Sequence, residues 1–167
     1  EKIDVPAPDV NTSGKIMSWM VDEFCKLKGE QNLGVITGKP VGFGGSKGRT
    51  EATGFGVAVV AREAAKKYGL DITKSKVAIQ GFGNVGSFTV KNVQDQGATI
   101  VAIGEWDREI GTYALYNEEG LDYYDLAQYK KEQGSIVDYP KAKRISLEEF
   151  WKLEVDILIP AALENAI

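Results

Sequence analysis

The stretch that decides the fold is "KVAIQGFGNVGSFTVKNVQDQG", Lys76 to Gly97. Val77-Ala-Ile79 is a short apolar run ahead of glycines, which reads as a buried strand. Gly81, Gly83 and Gly86 follow in the spacing G-x-G-x-x-G. In that pattern the first glycine permits a tight turn. The second lets the backbone approach a pyrophosphate, and the third lets the next helix sit close to the strand. Val85, Phe88, Thr89, Asn92 and Val93 recur at three and four residues, which predicts a helix, and Gly97 closes it. The start of such a helix offers unsatisfied N–H groups and the positive end of the dipole to phosphates. Thr99-Ile-Val-Ala-Ile103 is a second apolar run. Together these make a β-α-β unit of about 27 residues, close to the length the fingerprint needs.

The fingerprint also needs an acid beyond the second strand. Glu105 lies 24 residues past Gly81 and 19 past Gly86. A carboxylate there accepts hydrogen bonds from the adenosine ribose hydroxyls and repels a 2′-phosphate, so NAD is expected rather than NADP. Asp107 could share the role, and Arg108 could approach a phosphate. Trp106 either packs near the adenine or is an ordinary surface or core tryptophan. The competing account is a strand-to-helix turn that binds nothing. The preceding strand, the following helix and Glu105 argue against it.

Outward from this unit, residues 1–10 read as the end of a strand and a rigid loop, because Pro6 and Pro8 fix φ. Asn11, Thr12 or Ser13 could cap a helix with Ile16, Met20, Phe24 and Leu27 on one face, Met17 and Val21 beside them, and Gly29 near its end. Residues 34–48 are too rich in glycine for helix or long strand and are expected to be loop. Thr50 or Thr53 opens a helix of small residues, with Ala58, Ala61 and Ala65 suited to close packing on a sheet, ended by Gly69. "IGTYALYNEEG" reads as a hairpin or a strand and turn. Residues 122–133 form an amphipathic helix carrying Leu126 and Tyr129. Ser146-Leu-Glu-Glu149 is a capping box. Val155-Asp-Ile-Leu-Ile159 is a third buried strand, stopped by Pro160.

Short apolar strands alternating with helices predict an α/β fold, a Rossmann-like, doubly wound and mostly parallel sheet. Such sheets usually hold about six strands. Three or four are visible, so the sheet is expected to be incomplete and the chain to be part of a longer protein. Residues 1–47 are expected to join another domain to the nucleotide domain, and residues 48–167 to form the N-terminal part of that domain.

Composition narrows the chemistry. The 167 residues are 43% hydrophobic with a net charge of −4, basic and acidic side chains being interspersed. No basic face of the kind nucleic acid needs is present. No apolar run approaches a membrane span of about 18 residues. Glu1-Lys2-Ile3-Asp4 does not read as a signal peptide, and a cytoplasmic location is expected. Cys25 is alone, so no internal disulfide forms, and the chain has no histidine. A His-dependent triad and a His-ligated zinc site are excluded, and no metal site is expected.

Two further stretches carry candidate residues. In "PAPDVNTSG", Asp9 stands between a rigid Pro-Ala-Pro and a helix start, a position an ordinary capping aspartate would also take. In "FGGSKGRTEATGFGV", residues 43–57, the glycines permit close backbone approach to a ligand. Arg49 and Thr53 are four apart and share a face if the helix includes both. A solvated arginine on a flexible loop is the alternative.

These pieces occur in one order: "VPAPDVNT", "TGKPVGFGGSKGRTEATGFGV", "VAIQGFGNVGSFTV" and "DILIPAALENAI". Together they resemble the glutamate dehydrogenase family, and more broadly the dehydrogenases that act on leucine, phenylalanine and valine. The resemblance runs over essentially the whole chain. It implies NAD(P)-linked oxidative deamination of L-glutamate to 2-oxoglutarate and ammonia, and the reverse. By motif position Asp9 matches the catalytic aspartate, which handles protons on the amino or imino nitrogen. Thr53 matches the threonine that orients the nicotinamide carboxamide, and Arg49 an arginine at the substrate end of the cleft. Gly81, Phe82, Gly83, Asn84 and Val85 match the pyrophosphate turn. Ala161 and Ala162 match residues lining the nicotinamide ribose. Members of this family are commonly hexameric, so a homo-oligomer is implied.

The chain departs from the family pattern in one respect. The family's catalytic and carboxylate-binding lysines lie in a substrate domain before the catalytic aspartate, whereas only eight residues precede Asp9 here. Lys39 and Lys47 do not occupy the matching motif. The family's distal serine is missing too, so this chain by itself is expected to be inactive. Two alternatives stand beside the glutamate enzyme. One is a leucine or phenylalanine dehydrogenase, and the other is a non-catalytic dinucleotide-binding module.

Overall fold

A computed structural model describes residues 3–163. It divides into two compact units, Glu1–Thr50 and Glu51–Ile167.

The first unit is built on helix α1 (Gly14–Lys28). Gly29 closes it in the left-handed conformation with its N–H on the Cys25 carbonyl, and Lys26 and Lys28 complement the dipole in the last turn. The buried row is Met17 and Val21, which pack with Val35 and Ile36, while Ile16, Phe24 and Cys25 are partly buried. The expected stripe is corrected here, since Met20 and Leu27 are 43% and 78% exposed. α1 offers two adjacent apolar rows, and the row that is covered is the one Val35 and Ile36 reach. The expected strand end before Pro6 is not found among the described residues, and residues 3–10 are irregular. That arm is held against the later loop by Thr37 N–H on the Pro6 carbonyl at 3.0 Å. Residues 34–48 are loop as expected, tightened by 3₁₀ turns at Leu33–Val35 and Val41–Phe43.

The second unit is a five-stranded sheet, β1 (Lys76–Gln80), β2 (Thr99–Asp107), β3 (Gly111–Tyr116), β4 (Lys143–Ile145) and β5 (Ile157–Pro160), in the order β4-β3-β2-β1-β5. β2, β1 and β5 run parallel. The β2–β3 hairpin and β4 add an antiparallel edge. Helices cover both faces. On one, α2 (Ala52–Lys67), α3 (Asn84–Asp95) and α4 (Tyr123–Gln133) bury Ala58, Ala65, Val90, Val93 and Leu126 against Val77, Ile79, Ile100, Ile103 and Leu115. On the other, Ala78, Ala102 and Ala114 cluster with Ile145 of β4 and with Phe150 of the short helix α5 (Leu147–Trp151). The alternation of Val77 and Ile79 with Ala78 is the period-two pattern of a strand buried on both faces. Gly54 brings α2 onto α3, since a Cβ there would lie 2.5 Å from Phe88 Cβ.

Four local expectations are adjusted. β2 does not end near Ile103. Its pairing with β3 carries it through Asp107, with Glu105 opposite Tyr113. The edge strand β4 was not anticipated, because two of its three residues are cations. β5 was expected to be buried, yet Leu158 is 41% exposed, since among the described residues β5 pairs only with β1. Pro160 ends it, as expected. In α3 the buried positions are Gly86, Thr89, Val90 and Val93, while Phe88 and Asn92 are only half-buried. Thr89 tolerates burial because its hydroxyl donates to the Val85 carbonyl at 2.8 Å. The capping box holds: Glu149 N–H reaches Ser146 Oγ at 3.1 Å, and Ser146 N–H reaches Glu149 Oε2 at 2.8 Å. Among the described residues no helix is long and apolar enough to cross a membrane.

Candidate cofactor-binding site

The glycine turn joins β1 to α3. Gly81 has φ 98°, and its N–H is fixed to the Gly104 carbonyl of β2 at 2.6 Å. A Cβ on Gly86 would fall 1.9 Å from the Gly81 carbonyl oxygen, so only glycine lets α3 begin this close to the turn. Gly83 differs. It is the extended residue before α3 and makes no side-chain cap. Nothing lies within 4 Å of where its Cβ would be. The backbone is therefore open to a ligand at Gly83, beside first-turn N–H groups that lack helical partners. These features fit the pyrophosphate of a dinucleotide.

Phe82 is held from three sides. Its N–H donates to Glu105 Oε2 at 2.8 Å. Its carbonyl accepts from Lys130 Nζ at 2.8 Å. That ammonium also sits 5.3 Å from the centre of the Phe82 ring. Lys130 Nζ and Glu105 Oε2 are 4.0 Å apart. The other Glu105 oxygen accepts from Trp106 N–H at 3.0 Å. Each carboxylate oxygen thus keeps a free lone pair for a further donor, and the side chain is 22% exposed. Tyr113, opposite Glu105, is buried, and burial pushes its hydroxyl well above the ordinary tyrosine value, so it stays neutral there. An open cleft of about 420 Å³ lies over the turn, lined by Phe82, Gly83, Asn84 and Ser87 on one side and by Lys130 and Lys131 of α4 on the other.

A family model described as Glutamate/Leucine/Phenylalanine/Valine dehydrogenase matches residues 44–167. The chain belongs to this dehydrogenase family. The NAD-specific glutamate dehydrogenase of Clostridioides difficile is 65% identical over 167 residues, covering all of this chain and 40% of that protein. Among solved structures, the glutamate dehydrogenase of Peptoniphilus asaccharolyticus aligns with a TM-score of 0.79 and 55% identity, over 98% of this chain and 36% of that one. The leucine-bound hetero-hexameric glutamate dehydrogenase of Thermus thermophilus aligns with a TM-score of 0.85 and 33% identity, over 98% and 37%. This member of the dehydrogenase family spans about 40% of the length of the curated relatives it matches.

Within this dehydrogenase-family chain the expected site residues fall into groups. Gly81, Phe82, Gly83, Asn84, Val85 and Glu105 come together at the turn. Ala161 joins them, its N–H on the Gln80 carbonyl at 2.8 Å and its carbonyl 2.6 Å from where a Gly81 Cβ would be. Ala162 follows and is exposed. Trp106 is 62% exposed, which excludes a core role. The Asp107 carboxylate caps its own hairpin through Glu109 N–H at 2.8 Å. Thr53 is exposed in the first turn of α2, next to the Gly54 contact with α3.

Asp9 and Arg49 belong to the first unit. Asp9 is exposed at a turn that Thr12 fixes, its N–H and carbonyl both bound to Thr12 Oγ1 at 2.7 Å. Its Oδ1 accepts from Val10 N–H at 2.8 Å. Arg49 is half-buried in a turn. α2 begins only at Ala52, so Arg49 and Thr53 do not share a helical face. Lys130 was missed altogether. Its only sequence signal is a helical row with Tyr123 and Ala127, and nothing in that row points 48 residues back to Phe82.

Proposed function

We propose that the glycine turn binds NAD and that the full protein catalyses the reversible oxidative deamination of L-glutamate to 2-oxoglutarate and ammonia. One observation carries this: the backbone at Gly83 is open beside the uncapped start of α3, with the Glu105 carboxylate anchored at the same turn. The Clostridioides and Peptoniphilus relatives, both NAD-specific glutamate dehydrogenases, support the choice of cofactor and substrate.

In this proposal Gly83, Asn84 and Val85 hold the pyrophosphate through main-chain N–H groups. Glu105 takes the adenosine ribose hydroxyls on its free lone pairs and rejects a 2′-phosphate, while Trp106 flanks the adenine. Thr53 orients the nicotinamide carboxamide, and Ala161 and Ala162 line the nicotinamide ribose. When bound, NAD supplies the hydride acceptor. Asp9 removes a proton from the substrate nitrogen and returns one in the reverse direction, which a carboxylate does efficiently when held within hydrogen-bond reach. The Thr12 turn keeps its backbone in place for that task. Arg49 contributes positive charge toward the substrate carboxylates. Residues 48–167 form the N-terminal part of the cofactor-binding domain, and residues 1–47 join it to a substrate domain in the full protein. The full protein is a hexamer, a reading supported by the hexameric Thermus relative. Light scattering checks it.

The activity test is initial-rate spectroscopy at the reduced-nicotinamide band with the full protein. Turnover should be fastest with L-glutamate and NAD. Asp9→Asn should lower kcat by about 10²–10⁴-fold, the range of general acid–base catalysis, with NAD affinity retained. Preference for leucine or phenylalanine would reassign the substrate. Absence of turnover with retained NAD binding would favour a non-catalytic module.

A further inference from the structure

We infer that Lys130 is a positioning residue for the cofactor turn: it locks the Phe82–Gly83 peptide so that the backbone at Gly83 is already set when a dinucleotide arrives. The inference rests on the proposed role of that turn. Phe82 stands between Gly81 and Gly83, the two residues that constrain neighbouring peptide planes least. Left to itself, the segment would populate several orientations, and binding would have to select one at an entropic cost. Two side chains oppose this. The Gly81–Phe82 peptide is held through its N–H by Glu105 at 2.8 Å. The Phe82–Gly83 peptide is held through its carbonyl by Lys130 at 2.8 Å. One is fixed from β2 and the other from α4, on either side of the residue. The buried Phe82 ring gives the ammonium a third contact, at 5.3 Å.

An ordinary surface lysine would make a screened ion pair of little consequence. Lys130 instead donates to main chain within the motif, and the carbonyl it grips shares a peptide plane with Gly83 N–H. Flipping that plane would turn the Gly83 N–H away from its position beside the start of α3. Lys131, next in sequence, also lines the cleft, but no hydrogen bond or ion pair to the turn is found for it among the described residues.

The test uses the full protein with Lys130→Met and Lys130→Arg. Calorimetric titration with NAD should show Kd raised roughly ten-fold in Lys130→Met, the effect of losing one charge-assisted hydrogen bond at a partly exposed site. Lys130→Arg, which keeps a cationic donor, should return Kd to within about three-fold of wild type. In steady state the loss should fall on KM for NAD rather than on kcat. Amide exchange at Phe82 and Gly83 in the free protein should speed up in Lys130→Met. Four outcomes overturn the inference. The first is an unchanged Kd in Lys130→Met. The second is an equal loss in both variants, which would mark a packing defect. The third is a loss confined to NADP, which would make the lysine a phosphate contact. The fourth is a fall in kcat with KM unmoved. If the wild-type protein bound no NAD, the proposed function would fail first. If it bound NAD and Lys130→Met bound equally well, only the positioning role would fail.

Discussion

Gly83 and Gly86 lie three residues apart in one motif, yet their substitution by alanine should fail in opposite ways. A Cβ at Gly86 would lie 1.9 Å from the Gly81 oxygen and 2.5 Å from its carbonyl carbon. Ordinary contact begins at 3.4 Å, so turn and helix would have to part by 3.4 − 1.9 = 1.5 Å. Neither partner can yield easily. Gly81 is tied to Gly104 at 2.6 Å, and α3 is backed by α2 at Gly54, where Phe88 already leaves no room for a Cβ. Over-packing of this kind costs about 3 kcal/mol, or a fall in Tm of roughly 6–12 °C for a domain of this size. Gly83 has φ −78° in an extended conformation and no atom within 4 Å of the missing Cβ. Alanine there should leave stability unchanged or raise it by about 0.4–1 kcal/mol through the unfolded state. Its methyl group would stand where the pyrophosphate must approach, and NAD affinity should fall at least roughly ten-fold. Scanning calorimetry and NAD titration of both variants decide the matter. A Gly83→Ala protein with wild-type affinity would refute the turn as a cofactor cradle. A Gly86→Ala protein with wild-type Tm would refute the claim that close approach constrains it.

Glu105→Ser should narrow the preference for NAD over NADP by roughly ten-fold, about 1.4 kcal/mol. Asp107 is tied to Glu109 N–H and is poorly placed to substitute, so an unmoved ratio of the two dissociation constants would remove Glu105 as the ribose reader. Asp125 carries the pH prediction. Hydrogen bonds from Lys141 and then Tyr139 hold its carboxyl below the ordinary aspartate value. Its contribution to stability is therefore present above about pH 4 and lost as pH falls through the depressed folded value. The Tm gap between wild type and Asp125→Asn, measured from pH 6 downward, should close in acid. A gap that stays constant would show that the tie is not ionic.

The legible parts of the fold were those whose signals are local. The apolar run of β1, the three glycines and the three-and-four spacing of α3 all lie within 22 residues of sequence. The Ser146–Glu149 box likewise contains both of its partners. The misread parts depend on what an element meets. α1 presents two apolar rows, and Val35 with Ile36 choose Met17 and Val21. β4 has no strand-like composition and exists because Tyr116, Leu115 and Ala114 offer it an edge. β2 outruns its apolar run because the hairpin continues the ladder past Glu105. The same distinction divides the site. Glu105 could be found by counting from the glycines, whereas Lys130 could not, because no spacing rule links a lysine on α4 to a carbonyl in the turn.

That distinction bears on how the motif works. A glycine-rich turn must be open and closely packed, so its residues are chosen for the absence of side chains. The same absence leaves the peptide planes poorly determined. Rigidity then has to come from outside the motif, and here it comes from partners 23 and 48 residues away, on β2 and α4. Both partners carry charge, so each makes a stronger bond to the main chain than a neutral group would. Both also reach Phe82, the one bulky residue within Gly81–Gly83. Its buried ring anchors the segment to the core through Tyr123, with ring centres 6.3 Å apart. The fingerprint accordingly marks where a dinucleotide can approach. On the proposed role of the turn, how tightly it binds should depend on Glu105 and Lys130 holding the two planes between which Phe82 lies. Two chains with identical glycine motifs but different residues at these positions should therefore differ in NAD affinity without differing in fold.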